Sequence, residues 1–298
     1  MNSIFEHPSV LSVSKKIPVS AVVLTFNEEK NITDCLKSLV SWTQEIFVVD
    51  SFSTDNTVAI VESFGIPVFT NPFENYASQR NWALKNLPFT TDWIINIDAD
   101  NRITPKLSQE LTYIFEKSIS DDIKGFLASR QTIFMDKWIR FGGHYPTYHA
   151  FMFRKGFGTC ENKLYDQHFV INGKTQILKG DIIDILTDSI SSFTERHNRW
   201  ASLEADEQMK TYLSQDNLIK GNIAGNPIEK RRAMRNFYNW MPLFIRPYLY
   251  FFVRYFVKLG FLDGKAGMIF HFLQGFWFRF LVDAKIYEAR KRLEKNND

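Results

Sequence analysis

The 298-residue sequence contains little cysteine and no cysteine pattern that would bind a metal. Its two cysteines, Cys35 and Cys160, stand far apart and lack the spacing of a zinc site. This usage is typical of a protein from a reducing compartment that has no structural disulfides. Residues 1–16 lack the charged-then-apolar pattern of a signal peptide, and we expect them to form a loose polar lead-in.

The sequence also lacks a glycine-rich phosphate loop. Neither the G-x-G-x-x-G pattern of dinucleotide-binding folds nor a Walker sequence occurs in it. A bound nucleotide would therefore have to be held by side chains and a metal ion. This absence disfavours a dehydrogenase or a P-loop ATPase.

The modest net charge of +3 hides an uneven distribution along the chain. Residues 226–298 carry 14 Lys and Arg against six Asp and Glu, whereas the first 225 residues carry 22 against 27. The same tail holds 18 of the 46 aromatic residues. The composition shifts at 221–227, a stretch whose glycine, asparagine and proline content predicts a linker. We therefore expect a main domain over 17–220 and a separate helical tail over 226–298.

The tail has no uninterrupted apolar run of membrane-spanning length, because Arg246 and Arg254 break the first run and Arg279 the second. Aromatic residues interleaved with Lys and Arg are typical of helices that lie in the interface of an anionic membrane. A soluble aromatic subdomain packed on the main domain is the alternative. No nucleic-acid-binding signature occurs, so we expect no nucleic-acid partner.

One short, mostly apolar stretch, 93–98, predicts a strand buried on both faces. It ends in Asp98, and Asp100 follows after Ala99, so the two carboxylates point to the same side. Oxygen ligands in this arrangement suit a hard divalent cation, Mg²⁺ or Mn²⁺, whose remaining ligands often come from a substrate's phosphates. The alternative is an acidic loop that only caps the helix predicted at Thr104 and Pro105.

Strand and helix patterns alternate four times within the first 115 residues, which predicts an α/β fold with a parallel, doubly wound sheet. Three strand ends carry polar residues. The carboxyl ends of parallel strands share one edge of the sheet, where such proteins bind ligands. We therefore expect these side chains in one crevice: Thr25, Asn27 and Glu28 after the first strand, Asp50 at the end of the second, and Asp98 and Asp100 after the fourth.

The region 125–177 changes to short, mixed strands, and Asn172-Gly173 predicts a hairpin turn between two of them. We expect this half to form the side of the site that takes a second substrate. Transfer to a hydroxyl group requires a base within hydrogen-bond reach. The stretch 160–168 offers three candidates, Glu161, Asp166 and His168.

Four motifs, taken together and in this order, look like those of the family 2 glycosyltransferases, and most like the WaaE-like branch of lipopolysaccharide-core and exopolysaccharide enzymes. The resemblance covers roughly residues 17–205 and is carried by the stretches 25–32, 48–57, 79–81 and 98–100. One departure is Phe52, which stands where the family usually has glycine.

The resemblance implies a GT-A fold, a Rossmann-like mixed sheet flanked by helices, that binds a nucleotide-sugar donor. By motif position, the residues of the base and ribose site would be Thr25, Asn27, Glu28 and Asp50. Arg80 would contact the nucleotide or its phosphates, Asp98 the ribose and the metal, and Asp100 the metal. Asp166 best matches the catalytic base of the family, with Glu161 as the second choice. His197 could add a further metal ligand, although its helix face could simply pack Trp200.

These observations predict a metal-dependent, inverting hexosyl- or N-acetylhexosaminyl-transferase. It would move a sugar from a nucleotide-sugar, expected to be UDP-linked, to a lipid-linked glycan precursor of the bacterial cell surface. We expect it to lie peripherally on the cytoplasmic face of the inner membrane. The alternatives are a nucleotidyltransferase, or an inactive membrane scaffold with a transferase fold.

Overall fold

The computed structural model describes residues 16–164, 166–187, 189–213 and 221–297. The predicted lead-in therefore lies outside the described residues, apart from Lys16. The described strands are β1 (Ile17–Thr25), β2 (Thr43–Asp50), β3 (Val68–Thr70), β4 (Trp93–Asp98), β5 (Asn101–Ile103), β6 (Ile123–Phe134), β7 (Lys137–Trp138), β8 (Tyr148–Arg154), β9 (Gly158–Cys160), β10 (Phe169–Ile171) and β11 (Lys174–Ile185). The described α-helices are α1 (Ile32–Lys37), α2 (Thr57–Ser63), α3 (Tyr76–Asn86), α4 (Pro105–Glu116), α5 (Ile190–Leu213), α6 (Pro227–Trp240), α7 (Arg246–Phe252), α8 (Gly264–Phe270) and α9 (Phe278–Asn297).

The first half of the main sheet is the parallel unit that the alternating pattern predicts. Its strands lie in the order β3-β2-β1-β4, and all three pairs are parallel. Helices cover both faces of β1: Val23 belongs to one core cluster and Val22 to another. This two-sided burial explains why β1 is apolar along nearly its whole length instead of alternating.

The second half turns this unit into a mixed, nine-stranded sheet. Strand β8 runs antiparallel between β4 and β6, β11 is parallel to β6, and β5 closes the edge antiparallel to β11. The predicted α/β fold, a mixed sheet flanked by helices, is therefore confirmed.

The hairpin predicted at Asn172-Gly173 is wrong. Strand β10, before the turn, pairs with β9 in a separate two-stranded sheet, whereas β11, after it, pairs with β6 and β5. Gly173 has a positive φ, as the turn signal predicts, but the turn joins two sheets. The side chain of Ile171 packs where Gly125 leaves space, and this contact fixes β10 over the main sheet.

The tail folds back onto the main domain. Helix α9 packs along α5, and their shared core contains Ala201, Ala205, Phe278, Val282 and Ile286. Helix α6 begins with a capping box in which Asn226 accepts from the Glu229 amide while the Glu229 carboxylate accepts from the Asn226 amide. Among the described residues, no helix combines the length and the apolar character that crossing a membrane requires.

The arginines that interrupt the first apolar run of the tail point inward. Arg246 is buried and its guanidinium donates to Asp283 on α9. Arg254 is buried and donates from Nε to the Gly142 carbonyl, 2.8 Å away. The sequence predicts charges interleaved with aromatics on the tail surface, but these two charges serve to attach the tail to the protein.

Candidate active site

Three strand ends meet at one edge of the parallel unit. Thr25, the last residue of β1, lies beside Asp50, the last residue of β2, and Asp98 at the end of β4 lies beside Leu24. This edge is the place where an open α/β sheet binds its ligand. Thr25 is buried, and its hydroxyl has no hydrogen-bond partner among the described residues, which leaves it available to a ligand.

Hydrogen bonds between two loops set the shape of this edge. Asn27 has a left-handed backbone (φ 54°), its amide donates to Ser53 Oγ and its side-chain oxygen accepts from the Thr54 amide, both at 2.8 Å. Ser53 in turn donates from Oγ to Asp50 Oδ1 at 2.5 Å. The loop after β1 and the loop after β2 therefore form one connected wall, and the buried Asp50 supports it from below.

Glu28 belongs to the same wall. Its amide donates to Thr57 Oγ1 at 2.8 Å, and its carboxylate accepts from Asn31 Nδ2 at 2.8 Å. The four predicted base and ribose residues are thus brought together, as expected from three strand ends on one edge.

Phe52, which replaces the family's usual glycine, keeps a left-handed backbone with φ 63°. Non-glycine residues rarely adopt this conformation. Its side chain is exposed, and so is that of Phe26, which follows Thr25. The substitution therefore preserves the turn and adds an aromatic ring at the rim of the site.

Arg80 on α3 reaches across to Asp98. Its Nη2 donates to both carboxylate oxygens, at 2.8 and 2.9 Å. Burial would lower the pKa of Arg80, but the Asp98 charge raises that pKa above its usual value. Arg80 therefore remains charged and holds the Asp98 carboxylate in a fixed orientation.

Asp100 lies close to a second half-buried carboxylate, that of Asp184, the next-to-last residue of β11. The Asn101 side-chain amide donates to both, at 2.8 and 3.2 Å. Burial and the Asp184 charge raise the pKa of Asp100 well above its usual value, and burial also raises the pKa of Asp184. Asp184 was not predicted from the sequence, although it lies one residue before the end of a strand, much as Asp50 and Asp98 end theirs.

The residues at this edge fit a divalent cation. Asp100 and Asp184 form a desolvated pair of like charges, and a cation would relieve their repulsion. Asp98 is already bonded to Arg80, so Asp100 is the better metal ligand of the two predicted ones. No group of three or more His, Cys, Asp or Glu side chains in the described ranges is arranged to hold a metal alone. A cation here would take further ligands from a bound diphosphate.

The structure brings His197 together with aromatic residues and not with the acidic edge. Its ring stacks on Phe193 at 3.7 Å between centroids and meets Trp200 and Phe278 edge-on. Nδ1 lies 2.8 Å from the Phe193 carbonyl of the same helix, and burial lowers the pKa of His197 to about 4. This geometry favours a packing role, and the metal role of His197 stays a prediction.

The two predicted bases lie against the arginines of α6. Asp166 has its carboxylate within ion-pair distance of Arg231 (3.5 Å) and in closer contact with Arg235. Glu161 is fully buried and accepts from Arg232 Nη2 at 2.8 Å. Burial would raise the pKa of Asp166, but the neighbouring guanidinium charges, led by that of Arg235, hold it far below its usual value.

This arrangement has two consequences for the base. Asp166 is ionised at every physiological pH, and its side chain is about a quarter exposed (26%). Glu161 is covered by Arg232, which would have to move before Glu161 could contact a substrate. A carboxylate with so low a pKa is a weak proton acceptor while the arginines surround it. No sequence pattern indicates these contacts, because they join residues about 70 positions apart.

The fold and the acidic edge define an α/β protein whose polar side chains gather at the carboxyl ends of its parallel strands, the place where open α/β sheets bind ligands. The glycosyl transferase family 2 model matches residues 20–178, more than half of the chain. The chain therefore belongs to glycosyl transferase family 2.

Individual proteins agree with this assignment. The lipopolysaccharide core biosynthesis glycosyltransferase LpsC of Rhizobium meliloti is 27% identical over 286 residues, which cover 92% of this chain and 93% of LpsC. An uncharacterised glycosyltransferase of Rickettsia conorii is 38% identical over 110 residues, which cover 37% of this chain and 38% of the relative. Three further Rickettsia relatives are likewise matched over only about a third of their length.

A solved structure shares the fold. The mannosyltransferase PcManGT of Pyrobaculum calidifontis, determined with GDP-Man and Mn²⁺, superposes with a TM-score of 0.52 at 12% identity. The superposition covers 92% of this chain and 88% of the other.

Proposed function

We propose that this protein is a metal-dependent, inverting glycosyltransferase that uses a nucleotide-sugar donor, with UDP as the nucleotide. The observation that carries the proposal is the acidic edge, where Arg80-bound Asp98 and the half-buried Asp100 lie beside the wall of Asp50 and Asn27. The similar fold of PcManGT, a structure that contains GDP-Man and Mn²⁺, supports a donor and a cation of this kind.

Each residue has a defined part in this proposal. Thr25, Asn27, Glu28 and Asp50 hold the base and ribose, and Arg80 faces the phosphates while it orients Asp98. Asp100 is the principal ligand of Mg²⁺ or Mn²⁺, with Asp98 as a second. A bound cation would neutralise the diphosphate as the leaving group.

Asp166 is the proposed base, and Glu161 the second choice. In inversion the base removes the acceptor hydroxyl proton on the face opposite the departing diphosphate. The α6 arginines depress the basicity of Asp166. An acceptor that carries phosphate would engage Arg231 and Arg235 and return the Asp166 carboxylate to the basicity that proton transfer requires. This link fits a lipid-linked acceptor, whose lipid is joined through phosphate.

The proposed context is bacterial cell-surface polysaccharide synthesis, on the cytoplasmic face of the inner membrane. The similarity to LpsC, which spans nearly the whole chain, supports a part in assembling the lipopolysaccharide core. The aromatic, basic tail supports peripheral contact with anionic lipid. The sugar moved is a hexose or an N-acetylhexosamine.

The first experiment is a thermal-shift screen of the full chain with Mn²⁺ and UDP-, GDP-, CMP- and dTDP-linked compounds. A ligand that binds only the folded state at 100 times its Kd stabilises the protein by about 2.7 kcal/mol. We expect stabilisation by one nucleotide family, and only with the cation present. Stabilisation by no compound would favour the inactive scaffold.

Product analysis then distinguishes a glycosyltransferase from a nucleotidyltransferase. Glycosyl transfer from the donor found in the screen releases a nucleoside diphosphate, whereas nucleotidyl transfer releases pyrophosphate. Release of nucleoside diphosphate that depends on a lipid-linked acceptor would support the proposal. Release of pyrophosphate would overturn it.

A further inference from the structure

More than half of the exposed large apolar side chains in the described part of the chain lie between residues 234 and 280. We call this face the outer tail surface, and its main exposed rings are Trp240, Tyr248, Phe252, Phe256, Phe261 and Phe272. Trp240 is the most exposed of them, at 82%. Soluble proteins rarely expose such a concentration of aromatic residues without a partner.

Ring contacts show that the rings of α7, of the π-helical turn Val253–Val257 after it and of the π-helical segment His271–Trp277 before α9 form one continuous surface. Phe252 contacts Phe256 at 5.3 Å between centroids, and Tyr248 contacts Phe276 at 4.7 Å. Phe272 also contacts Phe276, at 5.6 Å. Side chains from separate segments of the tail are therefore held side by side.

The charges of this region are sorted between inside and outside. The carboxylates of residues 230–287 are those of Asp263 and Asp283, and both are buried. Arg246 and Arg254 are buried as well, whereas Lys258 and Lys265 are exposed and stand close in sequence to the exposed side chains of Val257, Leu259 and Leu262. The outer tail surface thus presents apolar groups and ammonium groups but no carboxylate.

This distribution of charge selects the partner. The phosphates of a bilayer complement exposed lysines, while the acyl chains accept the rings. A second copy of the chain would instead bring lysines against lysines with no acidic group between them, which is unfavourable. A lipid bilayer is therefore the occupant that fits.

We propose that the outer tail surface inserts into the headgroup and acyl-chain boundary of the bilayer and anchors the protein mainly by apolar burial. Lys258 and Lys265 lie at the phosphates and contribute a smaller electrostatic part. This inference rests on the membrane location in the proposed function and changes the nature of the contact, because the arginines expected to bind anionic lipid are turned inward. Since α6 carries Arg231 and also begins the tail, the anchor places the predicted acceptor side next to the bilayer.

The test is flotation of the full chain with vesicles. We expect binding to neutral phosphatidylcholine vesicles that persists in high salt. Two surface lysines together strengthen binding to anionic vesicles by roughly 10- to 30-fold, and this increment alone should vanish in salt. Binding only to anionic vesicles, and loss of all binding in salt, would overturn the proposal.

Variants locate the contact. Phe252→Glu removes one ring that would be buried in the bilayer and adds a charge. It should weaken partitioning into neutral vesicles at least tenfold. Tyr113→Glu is the matched control, because Tyr113 is a similarly exposed ring on α4 (60%), and it should bind as the wild type does. Equal loss in both variants, or in neither, would contradict the assignment of this face.

A donor thermal-shift measurement on the same variants separates this inference from the proposed function. Phe252→Glu should keep the full donor-induced shift, which also shows that it folds. Normal flotation without any donor-induced shift would leave the anchor standing and reject the donor proposal. Self-association that Phe252→Glu abolishes, without vesicle binding by the wild type, would assign the face to a second copy and overturn the anchor.

Discussion

Arg80 Nη2 lies 2.8 and 2.9 Å from the two carboxylate oxygens of Asp98, and this pair closes the acidic edge on the side of α3. Asp98 alone would be a loosely oriented carboxylate at a strand end. Paired with Arg80, it becomes a fixed acceptor, and the arginine presents positive charge where the phosphates of a donor would lie.

The first prediction concerns this pair. Arg80→Met leaves the partly buried Asp98 charge without its partner, and we expect a loss of about 2 kcal/mol in the free energy of unfolding. We also expect the donor-induced thermal shift to disappear. Arg154→Met is the control, since it breaks an ion pair with the exposed Asp121 far from the strand-end edge. An undiminished donor shift in Arg80→Met would remove Arg80 from the donor site.

The second prediction concerns Asp100. Because Asn101 donates to both Asp100 and Asp184, the two half-buried carboxylates are held close together. Asp100→Asn removes one of these charges, so we expect it to raise the free energy of unfolding by about 1 kcal/mol in the presence of a chelator. The same variant should lose all Mn²⁺-dependent stabilisation and at least 100-fold in turnover.

The control for Asp100 is Asp122→Asn, a change at an exposed surface carboxylate. It should leave both the free energy of unfolding and the Mn²⁺ response nearly unchanged. Differential scanning calorimetry with and without Mn²⁺ makes both measurements. A normal Mn²⁺ response in Asp100→Asn would show that this residue does not bind the cation.

Much of the parallel unit, strands β1 to β4 with their helices, could be predicted from the sequence, because its determinants are local. The strand predicted over 93–98 has the observed bounds, Trp93–Asp98. Buried parallel strands have long apolar runs, and polar residues follow them at one edge, so the order of motifs along the chain carries the geometry. Asp184 was within reach of the same reasoning.

The second half of the sheet and the tail could not be predicted in this way, because their determinants are long-range ion pairs. Composition shows that the tail is basic, but it does not show that Arg232 pairs with Glu161 or that Arg246 pairs with Asp283. A buried arginine and a lipid-facing arginine look alike in a sequence. The same limit explains the wrong hairpin, since the partners of β10 and β11 are distant strands.

The third prediction tests whether Asp166 acts as a base or only as an ion-pair partner of the α6 arginines. If Asp166 accepts the acceptor proton, Asp166→Asn should keep the donor-induced shift and lower kcat by roughly 100- to 10,000-fold. Arg235→Gln removes a partner of the same carboxylate and should lower stability while it keeps turnover within about tenfold. Single-turnover kinetics and thermal unfolding of both variants make the comparison. If Asp166→Asn is destabilised as much as Arg235→Gln and retains turnover, Asp166 serves only as an ion-pair partner that stabilises the fold.

The fourth prediction is a pH dependence from Tyr250. Burial would raise its pKa, but Arg254 and Arg279 lower the pKa to about 8 from 10.0. Between these values the unfolded chain holds the proton and the folded protein does not, so stability should rise with pH across this window, by up to roughly 2 kcal/mol. Tyr250→Phe should lack this rise, whereas Tyr113→Phe, at an exposed tyrosine, should keep it. Identical pH profiles of unfolding for all three proteins would contradict the lowered pKa.

The fifth prediction tests what holds the tail in place. Arg246 and Asp283 are both fully buried, and two guanidinium nitrogens donate to one Asp283 oxygen. Asp283→Ala leaves the Arg246 charge buried without its partner, so we expect a loss of 3–5 kcal/mol, about the cost of breaking a buried ion pair. The exposed pair of Lys174 and Asp122 is the control, and Asp122→Ala should leave the free energy of unfolding nearly unchanged.

A double variant, Arg246→Met with Asp283→Leu, distinguishes charge from packing at the same site. Replacing both partners by apolar residues removes the uncompensated charge, so we expect it to recover most of the stability that Asp283→Ala loses. If the double variant is as unstable as the single one, shape and hydrogen bonds to Gln208 and the Asn239 carbonyl matter more than charge. If neither variant changes unfolding, the tail is held by the α5–α9 core alone, and the inward arginines are not what attaches it.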